Sequence, residues 1–189
     1  MSVVLVVAAE NFALLMSDGR VSNLAQGKVI KEDFKKLLRV NKNICIGFTG
    51  HQRGCEEAIE AINAGMSYAE IVTALHGRAK KAYAVYKDKM IMCVVGFNEK
   101  SKMSVNYFTS DDFDIVPYPP ECGKVSVISL EPIPTTIFGD KCKKGAFNSL
   151  DDYCRLMYET ISDISKINPT VNNFTFSELI TDKSFYGRN

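Results

Sequence analysis

Cysteine and histidine are the first side chains to consider for chemistry, because thiolates and imidazoles act as nucleophiles, bases and metal ligands. The 189 residues include six cysteines without a C-x-x-C pair, and two histidines. Two histidines are too few for most zinc sites, and a domain of this length needs no disulfide framework. We therefore expect free thiols in a reducing cytoplasm, no metal and no cofactor. The residues concerned are Cys45, Cys55, Cys93, Cys122, Cys142, Cys154, His51 and His76.

A cysteine nucleophile is one interpretation of Cys45 and Cys55, which lie on either side of His51. A reactive thiol needs a nearby base and partial exposure to solvent. Cys45, however, falls in the middle of a predicted strand, and Cys55 falls on the inward stripe of a predicted helix. Both thiols are therefore predicted to be buried and structural.

The composition is that of one globular domain covering residues 1–189. Hydrophobic residues make up 46% of the chain and charged residues 24%, which excludes disordered and low-complexity classes. The 23 lysines and arginines balance the 22 acidic residues, for a formal net charge of +1. This balance provides no electrostatic footprint for a nucleic acid or an anionic membrane, and we expect neither partner.

The chain is predicted to begin inside its own sheet. An apolar run rich in β-branched residues at 2–9 and a second apolar run at 12–16 flank Glu10-Asn11 and predict a β-hairpin. Both runs are too short for a membrane helix, which needs about 20 residues. Further strands are predicted at 44–49, 90–97, 104–108, 125–130, 135–138 and 174–181.

Helical periodicity predicts helices between these strands. The first runs from Cys55 to a stop at Gly65, and a capping box at Ser67 opens the second. The third begins at the N-cap Ser149 and ends at Asn168-Pro169. This order suits an α+β fold in which two antiparallel sheets pack face to face and helices cover their outer faces. Other α+β layouts remain open on the pattern alone.

Segments of the first fifty residues resemble the opening of a proteasome β-type subunit and of its relative, the bacterial heat-shock protease. These segments are Ser2-Val-Val, Asp18-Gly19-Arg20, Lys36-Leu-Leu and Ile44 to Gly50. The interval from Ser2 to Asp18 matches the family's interval from its N-terminal threonine to its first acid, and Lys36 follows after a slightly longer loop. The resemblance implies an N-terminal-nucleophile hydrolase with the four-layer αββα fold.

The resemblance also implies a role for individual residues. Ser2, once Met1 is removed, would supply the nucleophilic hydroxyl and, through its own α-amine, the general base. Lys36 would lower the cost of developing negative charge, and Asp18 would hold its ammonium in place. The Gly50 N–H would bind the oxyanion, with glycine required because the substrate approaches closely. The implied activity is hydrolysis of a peptide or amide bond.

Departures from the family pattern leave a second hypothesis open. Ser2 stands where proteasome subunits have threonine, and Asp140 stands where a later family motif has serine. Residues 168–173 match a further Asp-x-x-Ser-Gly segment only loosely. The alternative is a non-catalytic subunit, or a binding or scaffold protein, on the same fold, as proteasome α-type subunits are.

Each candidate residue also has a purely structural interpretation. Asp18-Gly19 is typical of a turn at the end of a strand. Lys36 lies in a charged stretch and would then be a solvated side chain. Gly50 would simply be the glycine that precedes a helix.

Partners follow from the same resemblance. It implies a peptide or amide substrate and further copies of the chain in a homo-oligomer. An ATPase partner would follow by analogy only, since fold alone does not determine function.

Overall fold

The structure is a computed structural model that describes residues 2–23, 26–118, 120, 126–129, 132–144 and 149–182. Its strands are β1 Val4–Ala8, β2 Phe12–Asp18, β3 Val21–Asn23, β4 Lys28–Lys31, β5 Leu37–Asn41, β6 Ile44–Gly50, β7 Met90–Phe97, β8 Met103–Thr109, β9 Val116–Pro117, β10 Ser126–Ser129 and β11 Thr175–Thr181. Its helices are α1 Gln52–Ile59, α2 Tyr68–Tyr86, α3 Pro132–Lys144 and α4 Leu150–Ile167.

Most of these strands form two antiparallel sheets. The four-stranded sheet has the order β10-β1-β2-β11, the five-stranded sheet has the order β5-β6-β7-β8-β9, and β3 pairs with β4 in a separate hairpin. The predicted N-terminal hairpin is confirmed, with Val4 opposite Ser17 and Ala8 opposite Ala13. The end of β2 lies beside the last strand, because Asp18 is opposite Thr175.

The two sheets pack face to face because successive residues of each strand point to opposite, equally apolar faces. In β1, Val4, Val6 and Ala8 point into the interface between the sheets, whereas Leu5 and Val7 pack against α3 and α4. The five-stranded sheet shows the same alternation. Its inner face carries Cys45, Ile91, Cys93 and Val95. Its outer face, which packs against α1 and α2, carries Ile46, Phe48, Met92 and Val94. The predicted αββα sandwich is thereby confirmed.

Helices α1 and α2 cover the five-stranded sheet. The predicted capping box at Ser67 is confirmed at the start of α2. Helix α1 ends at Ile59 rather than at the predicted Gly65. The helix was predicted too long because Ile62 and Met66 keep helical spacing, although they reach the same core from turns outside the helix.

The predicted strand at 135–138 is wrong, because these residues belong to helix α3. The run Thr-Thr-Ile-Phe favours a strand on local propensity, since three of its residues are β-branched. Pro132 is the first helical residue, where the missing N–H of proline leaves no hydrogen bond unmade. Phe138 is fully buried against the four-stranded sheet, and this tertiary contact overrides the local propensity.

Helix α4 lies beside α3 and completes the second outer layer. The predicted N-cap at Ser149 and the predicted end at Asn168 are both confirmed. Ile161 is fully buried in the face that α4 turns to the sheet, and Lys141 of α3 forms an ion pair with Asp163 of α4 at 2.8 Å. Across the described ranges, no helix combines the length and the apolar character needed to cross a membrane.

Ile161→Ala is expected to lower the free energy of unfolding by about 2–5 kcal/mol, because the substitution leaves a cavity under α4. Ile167→Ala is the matched control, since Ile167 lies on the same helix with 67% of its surface exposed. Its expected change is within about 0.5 kcal/mol. Chemical denaturation of both variants measures the difference, and equal losses would contradict the orientation of α4.

Candidate active site

Asp18 is the last residue of β2 and is fully buried. Its Oδ1 accepts hydrogen bonds from the Val3 N–H at 2.8 Å and from Lys36 Nζ at 2.7 Å, and its Oδ2 accepts from the Arg20 N–H at 3.1 Å. These bonds hold the carboxylate against the residue that follows Ser2. A turn at the end of a strand does not explain the burial of a carboxylate.

Lys36 directly precedes β5 and is also buried. Its ammonium donates to Asp18 Oδ1 at 2.7 Å, to the Asp18 carbonyl at 3.1 Å and to the Arg20 carbonyl at 2.8 Å. These bonds use the three N–H donors of an ammonium. Burial lowers the pKa of Lys36, while the charge and hydrogen bond of Asp18 act in the opposite direction. The interpretation of Lys36 as a solvated charge is therefore wrong.

The ion pair between Lys36 and Asp18 joins the two sheets. Asp18 belongs to the four-stranded sheet, whereas Lys36 leads into the edge strand of the five-stranded sheet. Glu178 of β11 adds further contacts between the sheets, because its carboxylate meets Lys35 at 2.5 Å and Arg39 at 3.5 Å. Charged contacts thus join the sheets beside an apolar interface.

Ser2 lies just before β1 and is half-buried. The hydrogen bond from the Val3 N–H to Asp18 fixes the backbone immediately after Ser2. Within the described residues, Lys36 Nζ bonds to Asp18 and Arg20 and not to Ser2. Ser2 is therefore connected to the ion pair through the N–H of the next residue, Val3, and not through its own side chain.

Gly50 ends β6 with a φ of 101°, a conformation that side chains rarely adopt. A Cβ at this position would lie 2.1 Å from the Lys89 carbonyl oxygen. The His51 N–H donates to the same carbonyl at 2.9 Å. The neighbouring backbone therefore already requires glycine here, which is a different reason from the expected approach of a substrate.

Gly50 lies at the same end of its sheet as Lys36. The Phe48 N–H, two residues before Gly50, donates to the Lys36 carbonyl at 3.1 Å. Strand β6 also lies close to β1, because a Cβ on Gly47 would be 2.9 Å from Val4 Cγ1. All four predicted site residues thus lie at strand ends around one end of the interface between the sheets.

Asn172 contacts this region although the sequence did not single it out. It lies between α4 and β11, and its Oδ1 accepts from the Gly19 N–H at 3.0 Å. Its Nδ2 donates to the Glu32 carbonyl at 2.8 Å and to the Glu32 carboxylate at 2.6 Å. The loose match of residues 168–173 to a family segment was the only signal for this position.

Asp140 lies in the interior of α3 and is exposed. It forms an ion pair with Lys143 at 3.8 Å, and the next residue, Lys141, pairs with Asp163 of α4. This segment therefore belongs to the outer helical layer, where Lys141 connects it to α4, and neither pair involves Lys36 or Asp18.

The described cysteines are free thiols. Cys45, Cys55 and Cys93 are buried, and burial raises the pKa of Cys55 and Cys93 to about 12 and also raises the pKa of Cys45. The imidazole of His51 is engaged in capping α1. The hypothesis of a nucleophile at Cys45 or Cys55 is therefore wrong, and Cys122 lies outside the described residues. In the described part of the chain, no cluster of potential ligands could hold a metal ion.

No protein-family model and no curated protein sequence matches this chain. Solved structures do. The crystal structure of eukaryotic HslV from Trypanosoma brucei superposes with a TM-score of 0.63 and 15% sequence identity, over 95% of this chain and 99% of that one. The helical assembly of the Anbu complex from Pseudomonas aeruginosa superposes with a TM-score of 0.77 and 10% identity, over 96% and 82% of the two chains. The chain therefore has the fold of the proteasome-like N-terminal-nucleophile hydrolases.

Proposed function

We propose that this protein hydrolyses peptide or amide bonds with Ser2 as an N-terminal nucleophile after removal of Met1. The main support is the buried ion pair of Lys36 and Asp18, which is hydrogen-bonded to the backbone directly after Ser2. The shared fold with HslV and the Anbu protein is consistent with this chemistry but does not demonstrate it.

The proposed reaction begins with proton transfer within Ser2 itself. An unperturbed α-amine has a pKa of about 7.7–8.0, so the free amine can accept the hydroxyl proton near neutral pH. The hydroxyl oxygen then attacks the carbonyl carbon of the substrate and forms a tetrahedral intermediate. As the intermediate collapses, the α-ammonium of Ser2 gives its proton to the leaving nitrogen, so the amine product departs and an ester remains on Ser2. Water, deprotonated by the same α-amine, then hydrolyses the ester and releases the acid product.

Lys36 and Asp18 have electrostatic roles in this proposal. A fixed ammonium in a water-poor site stabilises developing negative charge more strongly than the same group in water. Burial lowers the pKa of Lys36, and Asp18 opposes this effect and holds the ammonium in position. The Gly50 N–H is the proposed donor to the oxyanion, which is consistent with its location two residues after Phe48, whose N–H donates to the Lys36 carbonyl.

A non-catalytic protein on the same fold is the second candidate, and one observation favours it. The three donors of Lys36 are taken up by oxygens of Asp18 and Arg20, so the pair is complete without a nucleophile. In this alternative the ion pair only joins the two sheets. In the first candidate Ser2 reacts as a nucleophile, and in the second it does not react.

Self-association is part of the proposed function. The Anbu structure is a helical assembly, and the fold that this chain shares with it supports a homo-oligomer here as well. The hairpin of β3 and β4 offers an apolar contact, because Val29 and Ile30 are 47% and 65% exposed. Val29 and Ile30 are adjacent in β4 and therefore point to opposite faces of the hairpin, so each face has one exposed apolar side chain.

The protein purified from its native host is expected to lack Met1 and to form a covalent adduct with a β-lactone or vinyl-sulfone probe at Ser2. Intact mass spectrometry followed by peptide mapping measures both. Ser2→Ala should abolish the adduct, while Ser2→Thr, which keeps a hydroxyl on the same atom, should retain it. Retention of Met1, or equal labelling of Ser2→Ala, would support the non-catalytic candidate.

Lys36→Met is expected to reduce the rate of labelling by about 10²–10³-fold, because it removes a fixed positive charge. It should also destabilise the fold by about 3–5 kcal/mol, since Asp18 is left buried without its partner. The double variant Asp18→Asn, Lys36→Met removes both charges and should recover much of the stability but none of the rate. Lys35→Met is the matched control, because Lys35 forms a partly exposed ion pair and should change neither property strongly.

A homo-oligomer is expected when the purified chain is examined by size-exclusion chromatography with light scattering. Ile30→Ser should shift the distribution towards monomer, because it removes apolar surface from the hairpin. Val85→Ser is the control, since Val85 is 71% exposed on α2 and away from that hairpin. A wild-type protein that is monomeric at high micromolar concentration would refute self-association.

A further inference from the structure

A cluster of polar side chains lies next to the ion pair of Lys36 and Asp18. The Arg20 guanidinium donates two hydrogen bonds to the Glu32 carboxylate, from Nε at 3.0 Å and from Nη2 at 2.9 Å, and a third from Nη1 to the Pro169 carbonyl at 2.5 Å. A guanidinium and a carboxylate joined by two parallel bonds have a defined relative orientation. Arg20 is therefore held in the plane of Glu32.

Asn172 completes the cluster from the connection between α4 and β11. It donates to both the carbonyl and the carboxylate of Glu32, and it accepts from the Gly19 N–H. Asn172 is nine-tenths buried, so each of these bonds replaces one that water would otherwise make. The cluster thus joins the end of β2, the segment after β4 and the segment after α4.

The main chain of Arg20 connects the cluster to the ion pair. Its N–H donates to Asp18 Oδ2 at 3.1 Å, and its carbonyl accepts from Lys36 Nζ at 2.8 Å. The side chain of the same residue is fixed by Glu32, and the preceding N–H is fixed by Asn172. The location of one acceptor of the Lys36 ammonium therefore depends on contacts that Glu32 and Asn172 make.

We propose that Glu32 and Asn172 are positioning residues that hold the Arg20 carbonyl against Lys36 and so orient its ammonium for the chemistry at Ser2. This inference rests on the proposed function for its kinetic consequence, but the orientation itself does not. Glu32 carries 53% of its side-chain surface exposed, and an exposed ion pair contributes at most about 1 kcal/mol to stability. The effect of the cluster is therefore on geometry more than on stability. Arg20 lowers the pKa of Glu32, which keeps the carboxylate charged at neutral pH.

Two variants test the proposal. Glu32→Gln removes the charge that binds the guanidinium. Asn172→Leu is nearly isosteric and removes the acceptor for Gly19 and both donors to Glu32 without adding a charge. Asp33→Asn is the matched control, because it removes one acidic charge from the same segment, and Asp33 only approaches Lys31 at 4.0 Å.

Two measurements are made on each full-length variant. The first is the pH titration of the Lys36 side chain, followed by the ¹³Cε resonance in NMR, and the second is the rate of adduct formation at Ser2 with the β-lactone probe. Both variants should lower the pKa of Lys36 below that of the wild type, because the ammonium loses an acceptor. They should also slow adduct formation by about 10-fold or more, which corresponds to the loss of one hydrogen bond to a charged group. The control should leave both quantities unchanged.

The outcomes distinguish the positioning of the Lys36 ammonium from the proposed reaction at Ser2. If the Lys36 titration in both variants coincides with that of the wild type, Glu32 and Asn172 do not position the ammonium and the inference is overturned. If the titration shifts while the wild type forms no adduct, the inference stands as a statement about Lys36 and the proposed function fails. A thermal melt of each variant identifies a general loss of structure, which would shift many lysine resonances rather than one.

Discussion

The buried ion pair between Lys36 and Asp18 is the constraint on which the rest of the site depends. Removing two charges from water costs several kcal/mol for each ion, and the interior compensates only if their hydrogen bonds are satisfied. Here the carboxylate has N–H donors from Val3 and Arg20, and the ammonium has backbone carbonyls in addition to its partner. A pair supported in this way defines where the backbone on each side of it must lie.

Apolar packing stabilises the sandwich in which this buried pair lies. The sandwich has three apolar interfaces, one between the sheets and one under each helical layer. None of them needs particular residues, only apolar side chains at alternating strand positions and along one face of each helix. This explains how the fold of HslV and of the Anbu protein can be kept at 15% and 10% sequence identity.

The elements with local signals could be predicted from the sequence. The turn at Glu10-Asn11, the capping box at Ser67 and the N-cap at Ser149 are set by neighbouring residues, and the structure has each of them. The strand predicted at 135–138 failed because packing of α3 overrides β-branched propensity there. Asn172 could not be found in this way, since its bond to Gly19 joins positions 153 residues apart and depends on the folded arrangement.

The division of the site between two sheets has a consequence for folding. Asp18 comes from the four-stranded sheet, whereas Lys36 and Gly50 come from the five-stranded sheet, so neither sheet contains the constellation by itself. The site comes into existence only when the two sheets dock. A chain in which the two sheets have not docked therefore has no assembled site, and any chemistry that the site supports is withheld until the sandwich has closed.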